Sequence, residues 1–405
     1  MYNLNKKICK LEAYEPNCGE FKIRLDANES FLKLPEIITK KIELALKSID
    51  YNRYPDALAK DLCENFSKLI GVKAENVVAG NGSDELISLL FVGFLLKGET
   101  YASFQHDFSM YNFYGSLSEC TGITIEKNSD LQINIDNCIK ICQNNNVKLL
   151  IFSNPCNPTS LGITANEVCK IIESLPDTLV VADEAYMDFW GESVIQKINE
   201  YDNLLVLKTC SKAFGMAGIR TGFAVGNKKL IDAIKAIKSP YNMNSYSQTI
   251  ASIVLNHKDE LNTAINEILL SKENLLNELK SLSLKYKDFN VLKSKTNFIV
   301  VLTSKSKDIF DYLSKKGISI RCFKDYLRIT AGTLEENQIL INEINKYFIE
   351  RTWILCLEPQ LYTEKLKRRK SNCNYPLTVE KLLLILVLVF LTTCFVPLLT
   401  TQVLV

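Results

Sequence analysis

The stretch from Thr209 to Arg220 carries the residues best placed to do chemistry. It follows an apolar run, Leu204 to Leu207, that predicts a buried strand. Lys212 stands just beyond that strand among small and glycine residues, and Arg220 follows later in the same loop. A lysine in this setting can form a Schiff base beside an anion-binding site. Most Ser-Lys pairs lie on solvated surface, so this stretch needs support from the rest of the chain.

A second informative stretch is the glycine turn at residues 80–85. A short apolar strand, residues 77–79, leads into it, and a helix is predicted from about Glu85 to Leu96 with Ser83 or Asp84 as its cap. Free backbone N–H groups at such a helix start bind phosphate, and Gly82 permits close approach. A plain capped helix after a tight turn is the alternative.

Two further strand ends carry polar residues. Asn157 follows the predicted strand at residues 147–153, and Asp183 and Tyr186 follow the one at residues 178–182. Strands that alternate with helices in this way predict a mostly parallel sheet with helices on both faces. These residues and Lys212 all stand at carboxyl ends of strands, where open α/β sheets bind ligands.

Composition excludes several functional classes. The chain has 405 residues and a net charge of +2, which gives no basic field for nucleic acid. With only two histidines, His-based metal sites and Ser-His-Asp catalysis are disfavoured, and no metal site is predicted.

The 13 cysteines show no CxxC pair and no framework spacing, which is typical of reduced thiols in a cytosol. The polar start, Met1 to Lys10, shows no signal-peptide pattern, so we expect a cytoplasmic protein.

Four segments are predicted along the chain. Residues 1–45 form an N-terminal arm, irregular to about residue 24, that contributes to a small domain; residues 46–258 form the large domain; residues 259–350 form a smaller α+β domain that begins with a long helix. Residues 351–405 are an atypical tail.

The tail has a basic cluster, Lys365 to Lys370, and an apolar segment without charge over residues 382–405. That segment is long enough to cross a bilayer, and the basic residues before it suit a cytoplasmic membrane anchor. A translated out-of-frame end is the competing interpretation, and both stay open.

Together the polar residues match the attachment points of pyridoxal phosphate. Asp183 can keep a pyridinium nitrogen charged, and Tyr186 and Asn157 can hydrogen-bond a phenolate-like oxygen. The helix start at Ser83 can hold a phosphate with Ser211 and Arg220. The freed amine of Lys212 can carry a proton between the substrate α-carbon and the cofactor.

Several motifs resemble those of known families. Three are similar to the fold-type I aminotransferases: residues 157–159 (Asn-Pro-Thr), residues 183–186 (Asp-Glu-Ala-Tyr), and residues 211–215 (Ser-Lys-Ala-Phe-Gly) with Arg220. Four more narrow the resemblance to the histidinol-phosphate aminotransferase family over about residues 5–350, at residues 25–29, 53–55, 82–85 and 327–330.

The resemblance implies a fold, a partner and site residues. The fold is a fold-type I α/β transferase, a large domain with a mostly parallel sheet between helices plus a small α+β domain. The assembly is a homodimer with a shared active site. The cofactor, pyridoxal 5'-phosphate, is held by Gly82, Ser83, Asp84, Phe108, Asn157, Asp183, Tyr186, Thr209, Ser211, Lys212, Arg220 and Tyr54. In the family pattern Tyr54 reaches the partner's cofactor. Phe108 stands where the family stacks an aromatic ring, often that of tyrosine, on the cofactor ring.

The implied reaction moves an amino group between L-histidinol phosphate and 2-oxoglutarate, in histidine biosynthesis. Lys212, Asp183 and Tyr186 are the implied catalytic residues, and the substrate-binding residues are Tyr14, Asn28, Arg321 and Arg328. Cys156 and Ser160 depart from the family pattern beside Asn157 without replacing it. Threonine-phosphate decarboxylase and aromatic amino acid aminotransferase activities stay open as alternatives, as does a catalytically silent, membrane-attached binding protein.

Overall fold

The computed structural model describes residues 2–11, 17 and 19–351. The compact unit that carries the candidate site ends at Tyr347. The strands are β1 (Ile23–Leu25), β2 (Val77–Gly80), β3 (Thr100–Phe104), β4 (Thr121–Ile125), β5 (Leu149–Ser153), β6 (Leu179–Asp183), β7 (Leu204–Thr209), β8 (Gly222–Gly226), β9 (Asn290–Val291), β10 (Phe298–Leu302), β11 (Ile318–Cys322) and β12 (Tyr326–Thr330).

The helices alternate with the strands through most of this unit. They are α1 (Glu36–Leu46), α2 (Lys60–Ile70), α3 (Ser83–Gly93), α4 (Met110–Leu117), α5 (Ile135–Asn144), α6 (Ala165–Ser174), α7 (Lys228–Ile237), α8 (Ser245–Leu255), α9 (Lys258–Lys285), α10 (Ser306–Lys315) and α11 (residues 334–351). The sequence analysis predicts neither α7 nor α8. Gly71 ends α2 in a left-handed conformation, and Thr164 and Glu167 form a capping box at the start of α6.

Within the described residues, seven strands form the larger sheet, in the order β2-β8-β7-β6-β5-β3-β4. β8 runs antiparallel to both of its neighbours, and the other pairs are parallel. The predicted mostly parallel sheet is therefore confirmed. Because β5, β6 and β7 are parallel neighbours, their carboxyl ends meet at one edge of the sheet.

Each face of the larger sheet is covered by its own apolar core. Leu204 and Val206 of β7 belong to one cluster of buried side chains, whereas Leu205 and Leu207 belong to the other. This alternation follows from the two-residue period of a strand. A sheet that is buried on both faces is held rigidly, and it can therefore position the residues that follow its strands.

The smaller sheet pairs a strand near the start of the compact unit with strands near its end. Its strand order is β1-β11-β12-β10-β9, and β1 is parallel to β11, with Ile23 opposite Ile318. The expected irregular arm therefore ends in a short strand. The sequence gives little sign of this strand, because three residues are too few to show a period-two pattern. Its pairing with β11 carries the segment that follows, Asp26 to Asn28, towards the edge of the larger sheet.

Several expectations cannot be compared with this structure. No helix within residues 2–11, 17 and 19–351 is long and apolar enough to span a membrane. The apolar segment 382–405 and the basic cluster before it lie outside the described residues. The anchor and out-of-frame interpretations of the tail, and the domain boundaries at residues 46, 259 and 351, stay predictions.

Phe66 links α2 to the larger sheet by stacking on Phe223 of β8, with ring centroids 3.7 Å apart and planes 4° from parallel. Both rings are fully buried. We expect Phe66→Ala to lower the free energy of unfolding by about 3–5 kcal/mol, because it leaves a cavity between helix and sheet. Chemical denaturation measures the change. Leu44→Ala, at a side chain that is 70% exposed on α1, is the control; equal effects from the two changes would contradict the role given to the Phe66 ring.

Candidate active site

The carboxyl ends of three neighbouring strands supply the first part of the candidate site. In β6, Asp183 is paired with Ser153 of β5 on one side and with Leu207 of β7 on the other. Asn157 and Lys212 follow β5 and β7 within a few residues. The structure thus brings these three predicted residues to one edge of the larger sheet.

Asp183 is a buried carboxylate that accepts two hydrogen bonds. The Tyr111 hydroxyl donates to Oδ2 at 2.8 Å, and the backbone N–H of Ala185 donates to Oδ1 at 3.1 Å. Burial raises the pKa of Asp183 to about 6, against the effect of these two donors, and the nearby Asp107 also raises it. A buried carboxylate of this kind is suited to pair with a protonated ring nitrogen.

Lys212 faces the chain segment that follows β1. Its Nζ donates to the backbone oxygen of Ala27 at 2.8 Å. Burial lowers the pKa of Lys212 to about 8, and the positive charge of Arg328 adds to the shift. A lower pKa leaves more of the amine uncharged near neutral pH, which is the form that attacks a carbonyl.

Tyr186 is buried beside Asn28. The Asn28 side-chain amide donates from Nδ2 to the Tyr186 hydroxyl at 2.8 Å. The sequence analysis places Asn28 among the substrate-binding residues, and in this structure its side chain contacts Tyr186 and Thr330. Burial raises the pKa of Tyr186, so its hydroxyl keeps its proton at neutral pH.

Arg328 points into the site, although charged residues in strands usually face solvent. Its guanidinium donates from Nη1 to Asn157 Oδ1 at 2.5 Å and from Nη2 to the backbone oxygen of Asp26 at 2.6 Å. Its Nε is buried and has no hydrogen-bond partner among the residues that the structure describes. On the adjacent strand, Arg321 is the residue directly opposite Arg328, and opposite residues of an antiparallel pair share one face. Two guanidinium groups on one face favour an anionic ligand.

The turn before α3 packs against β8 without room for a side chain. A Cβ atom on Gly222 would lie 2.2 Å from the backbone nitrogen of Ser83. Gly82 has a φ of +81°, and a Cβ there would lie 2.7 Å from a guanidinium nitrogen of Arg220. The helix start and Arg220 are therefore close together, and both offer donors to an anion.

The predicted cap of α3 is wrong. Gly82 occupies the N-cap position, no side chain caps the helix, and Ser83 is its first residue. Asp84 instead accepts a hydrogen bond from the Tyr114 hydroxyl at 3.0 Å. The helix also ends at Gly93, before the predicted Leu96. The backbone N–H groups of this helix start are thus left free of side-chain caps.

The loop after β7 contributes to the same candidate anion site as the start of α3. Thr209 is buried, and its hydroxyl accepts from the backbone N–H of Ser211 at 3.2 Å. Arg220 adopts a left-handed backbone conformation, with φ of +55°, and donates to the backbone oxygen of Ala217 at 3.3 Å. This loop therefore returns Arg220 towards Gly82.

Two further predicted residues contact aromatic rings, and a third is not described by the structure. Tyr54 is 80% exposed and stacks on Tyr241, with ring centroids 4.5 Å apart. Phe108 contacts the ring of Tyr111 edge-on, at 5.5 Å between centroids. Tyr14 lies outside the described residues.

Tyr111 contacts the candidate site, although the sequence patterns do not indicate it. It is fully buried, and its hydroxyl reaches Asp183 from α4. A signal existed, since α4 follows β3, and β3 adjoins β5 in the sheet, so the loop after β3 ends at the same edge as Asn157. The strand order needed for that inference is not readable from the sequence alone.

The chain is similar to known proteins over most of its length. Residues 20–344 match the family "Aminotransferase class I and II". The histidinol-phosphate aminotransferase of Clostridium novyi is 39% identical over 342 residues, which cover 83% of this chain and 95% of that protein. The enzyme of the same name from Thermoanaerobacter sp. (strain X514) is 37% identical and covers 85% of this chain and 99% of its own.

Solved structures share the fold. The histidinol-phosphate aminotransferase of Sinorhizobium meliloti, in complex with pyridoxal-5'-phosphate, superposes with a TM-score of 0.78 at 22% identity, covering 86% of this chain and 98% of that one. On the match over residues 20–344 and the identity to its relatives, the chain belongs to the class I and II aminotransferase family and, within it, to the histidinol-phosphate aminotransferases.

Proposed function

We propose that this protein is a pyridoxal-phosphate-dependent transaminase that moves an amino group between L-histidinol phosphate and 2-oxoglutarate, giving imidazole acetol phosphate and L-glutamate. The observation that carries the proposal is the convergence of Lys212, Asp183 and Tyr186 at one edge of the sheet, with Arg328 reaching the same place. The relatives named histidinol-phosphate aminotransferase support the choice of substrates.

The residues present fit pyridoxal phosphate. Its phosphate suits the start of α3 and the Arg220 guanidinium, because both offer donors to an anion. Gly222 allows the start of α3 to lie against β8. Asp183 suits its ring nitrogen, because the positive charge of a protonated nitrogen would compensate the buried negative charge of the carboxylate. Tyr186 and Asn157 would hold the ring oxygen, Phe108 would lie on the ring, and Lys212 would bind its aldehyde carbon. Ser211, Thr209 and Asp84 complete the proposed set.

When bound, this cofactor withdraws electrons from the substrate α-carbon. The protein's part is to take up the proton that leaves the α-carbon. Lys212 can accept that proton at Nζ, because burial holds its pKa near 8 and leaves part of the amine uncharged at neutral pH. The backbone oxygen of Ala27 holds the amine in place while it is not bound to the cofactor.

The substrates share an anionic group near the reacting amine. Arg328 offers a buried guanidinium whose Nε–H has no partner in the described part of the chain. Arg321 on the neighbouring strand faces the same side. One such anion site can serve both half-reactions, binding the carboxylate of glutamate and the phosphate of histidinol phosphate. Tyr14 is proposed to join it.

Exposed aromatic rings support a homodimer with a shared site. Tyr54 and Tyr51 are each 80% exposed, and they contact Tyr241 and Tyr246 respectively. A patch of this kind on a protein surface marks an interface. We propose that Tyr54 reaches the cofactor phosphate of the partner subunit, and that the enzyme works in the cytoplasm.

Lys212→Ala is expected to abolish the visible absorption that pyridoxal phosphate acquires when the wild-type protein binds it, because the amine is lost. Absorption spectra after incubation with the cofactor and removal of its excess measure this. Lys97→Ala, at a surface lysine paired with Glu119, should leave the spectrum unchanged. A band that persists in Lys212→Ala would refute the assignment.

Gly222→Ala is expected to weaken pyridoxal phosphate binding by about tenfold or more, because the new methyl group displaces the Ser83 backbone N–H, and a hydrogen bond to a charged group is worth about 1.5–3 kcal/mol. A spectroscopic titration gives the dissociation constant. Gly218→Ala is the matched control, since a Cβ there meets open space. Equal affinities of the two variants would show that the α3 start does not hold the phosphate.

A substrate panel tests the reaction itself. We expect the cofactor spectrum to change in a single turnover with histidinol phosphate and to regain its initial form with 2-oxoglutarate. The reason is that both substrates carry an anionic group that Arg328 can bind. Threonine phosphate should release no carbon dioxide, and phenylalanine should react more slowly. Fast conversion with phenylalanine alone, or carbon dioxide from threonine phosphate, would replace the proposed activity with one of those two.

A further inference from the structure

We propose that Thr330 is a positioning residue: it fixes which way the Asn28 amide faces, and thereby makes Tyr186 a hydrogen-bond donor towards the site. The inference rests on the proposed function, because the group that receives the Tyr186 hydrogen is the bound cofactor. It concerns a buried residue that acts on Tyr186 through Asn28.

Thr330 and Asn28 hold each other by two hydrogen bonds. The backbone N–H of Asn28 donates to Thr330 Oγ1 at 3.1 Å, and the Thr330 hydroxyl donates to Asn28 Oδ1 at 3.0 Å. Both residues are buried, at 1% exposed for Asn28 and 3% for Thr330. The backbone oxygen of Asn28 also accepts from Asn297 Nδ2 at 3.1 Å. The Asn28 backbone is therefore fixed, although its φ of +55° is rare for a residue with a side chain.

These bonds decide the orientation of the Asn28 amide. The oxygen of Thr330 already accepts from the backbone, so its hydrogen needs an acceptor, and Asn28 Oδ1 is the acceptor it has. If the amide were reversed, its NH2 group would face Thr330, and the buried hydroxyl hydrogen would lose that acceptor. The orientation with Oδ1 towards Thr330 and Nδ2 towards Tyr186 is the one that satisfies both groups.

The orientation of Asn28 in turn sets the role of Tyr186. With Oδ1 directed at Thr330, Nδ2 faces the Tyr186 oxygen at 2.8 Å. The Tyr186 oxygen therefore accepts, and its own hydrogen is free to be donated to a group bound in the site. A reversed amide would accept that hydrogen itself and withdraw it from the cofactor.

The test compares Thr330→Val, which removes the hydroxyl at nearly constant volume, with Thr330→Ser, which restores it. The measurement is the pH midpoint of the spectral change of the protein loaded with pyridoxal phosphate. A hydroxyl that donates to the ring oxygen reduces the negative charge that retains a proton on the chromophore, so losing it should raise the midpoint, by about one pH unit in Thr330→Val. Thr330→Ser should return the wild-type value.

Controls separate positioning from stability. Thr178→Val removes the hydroxyl of another buried threonine, one that donates to the Val147 backbone oxygen at 2.7 Å away from the site; its midpoint should equal that of the wild type. A Thr330→Val protein that melts at a lower temperature but keeps the wild-type midpoint would overturn the inference, and so would equal shifts in the Val and Ser variants. A wild-type protein without a pH-dependent band would overturn the proposed function as well.

Neutron diffraction from crystals of the loaded wild-type protein gives an answer that depends on no variant. We expect deuterium on the Asn28 nitrogen facing Tyr186 and on the Tyr186 oxygen facing the cofactor. Deuterium on Tyr186 directed at Asn28 would overturn the inference.

Discussion

The site depends on one short segment, Asp26 to Asn28, which connects the two sheets. Two of its backbone oxygens accept hydrogen bonds from charged side chains, Ala27 from Lys212 and Asp26 from Arg328. Asn28 adds a third bond, from its amide to the Tyr186 hydroxyl. Hydrogen bonds to charged groups are worth about 1.5–3 kcal/mol each, so displacement of this segment would release three functional side chains at once.

The segment is placed by strand pairing far away in sequence. β1 holds it in register with β11, and Thr330 of β12 binds Asn28. The larger sheet contributes the lysine and the carboxylate, and the smaller sheet contributes the arginine and the segment that binds the lysine. A ligand in this place would contact elements of both sheets, so its binding would be sensitive to the position of each.

Much of this arrangement is predictable from the sequence, and the reasons for the failures are physical. Lys212, Asp183 and Asn157 could be placed together because each follows an apolar strand, and parallel strands end at one edge. The residues that orient them could not, since the contact of Asn28 with Thr330 joins residues 302 positions apart, and β1 is too short to show a period. The cap of α3 was assigned by residue type, yet the close approach of β8 at Gly222 determines it. Tyr54 is exposed in the single chain, so the fold of one chain does not supply the contact proposed for it across a homodimer.

Burial of Asp183 also couples the chemistry of the site to folding. Its pKa rises from 3.8 to about 6 on folding, so the folded protein binds this proton more tightly than the unfolded chain does. The contribution of Asp183 to the free energy of unfolding is therefore favourable at low pH and is lost as the pH rises through about 6. At about 1.36 kcal/mol per pKa unit, this loss amounts to about 3 kcal/mol by neutral pH, and it is the cost of ionising the buried carboxylate. A cation bound beside Asp183 favours the ionised form and offsets this cost, so a ligand with a protonated ring nitrogen stabilises the fold through the same contact by which Asp183 holds it.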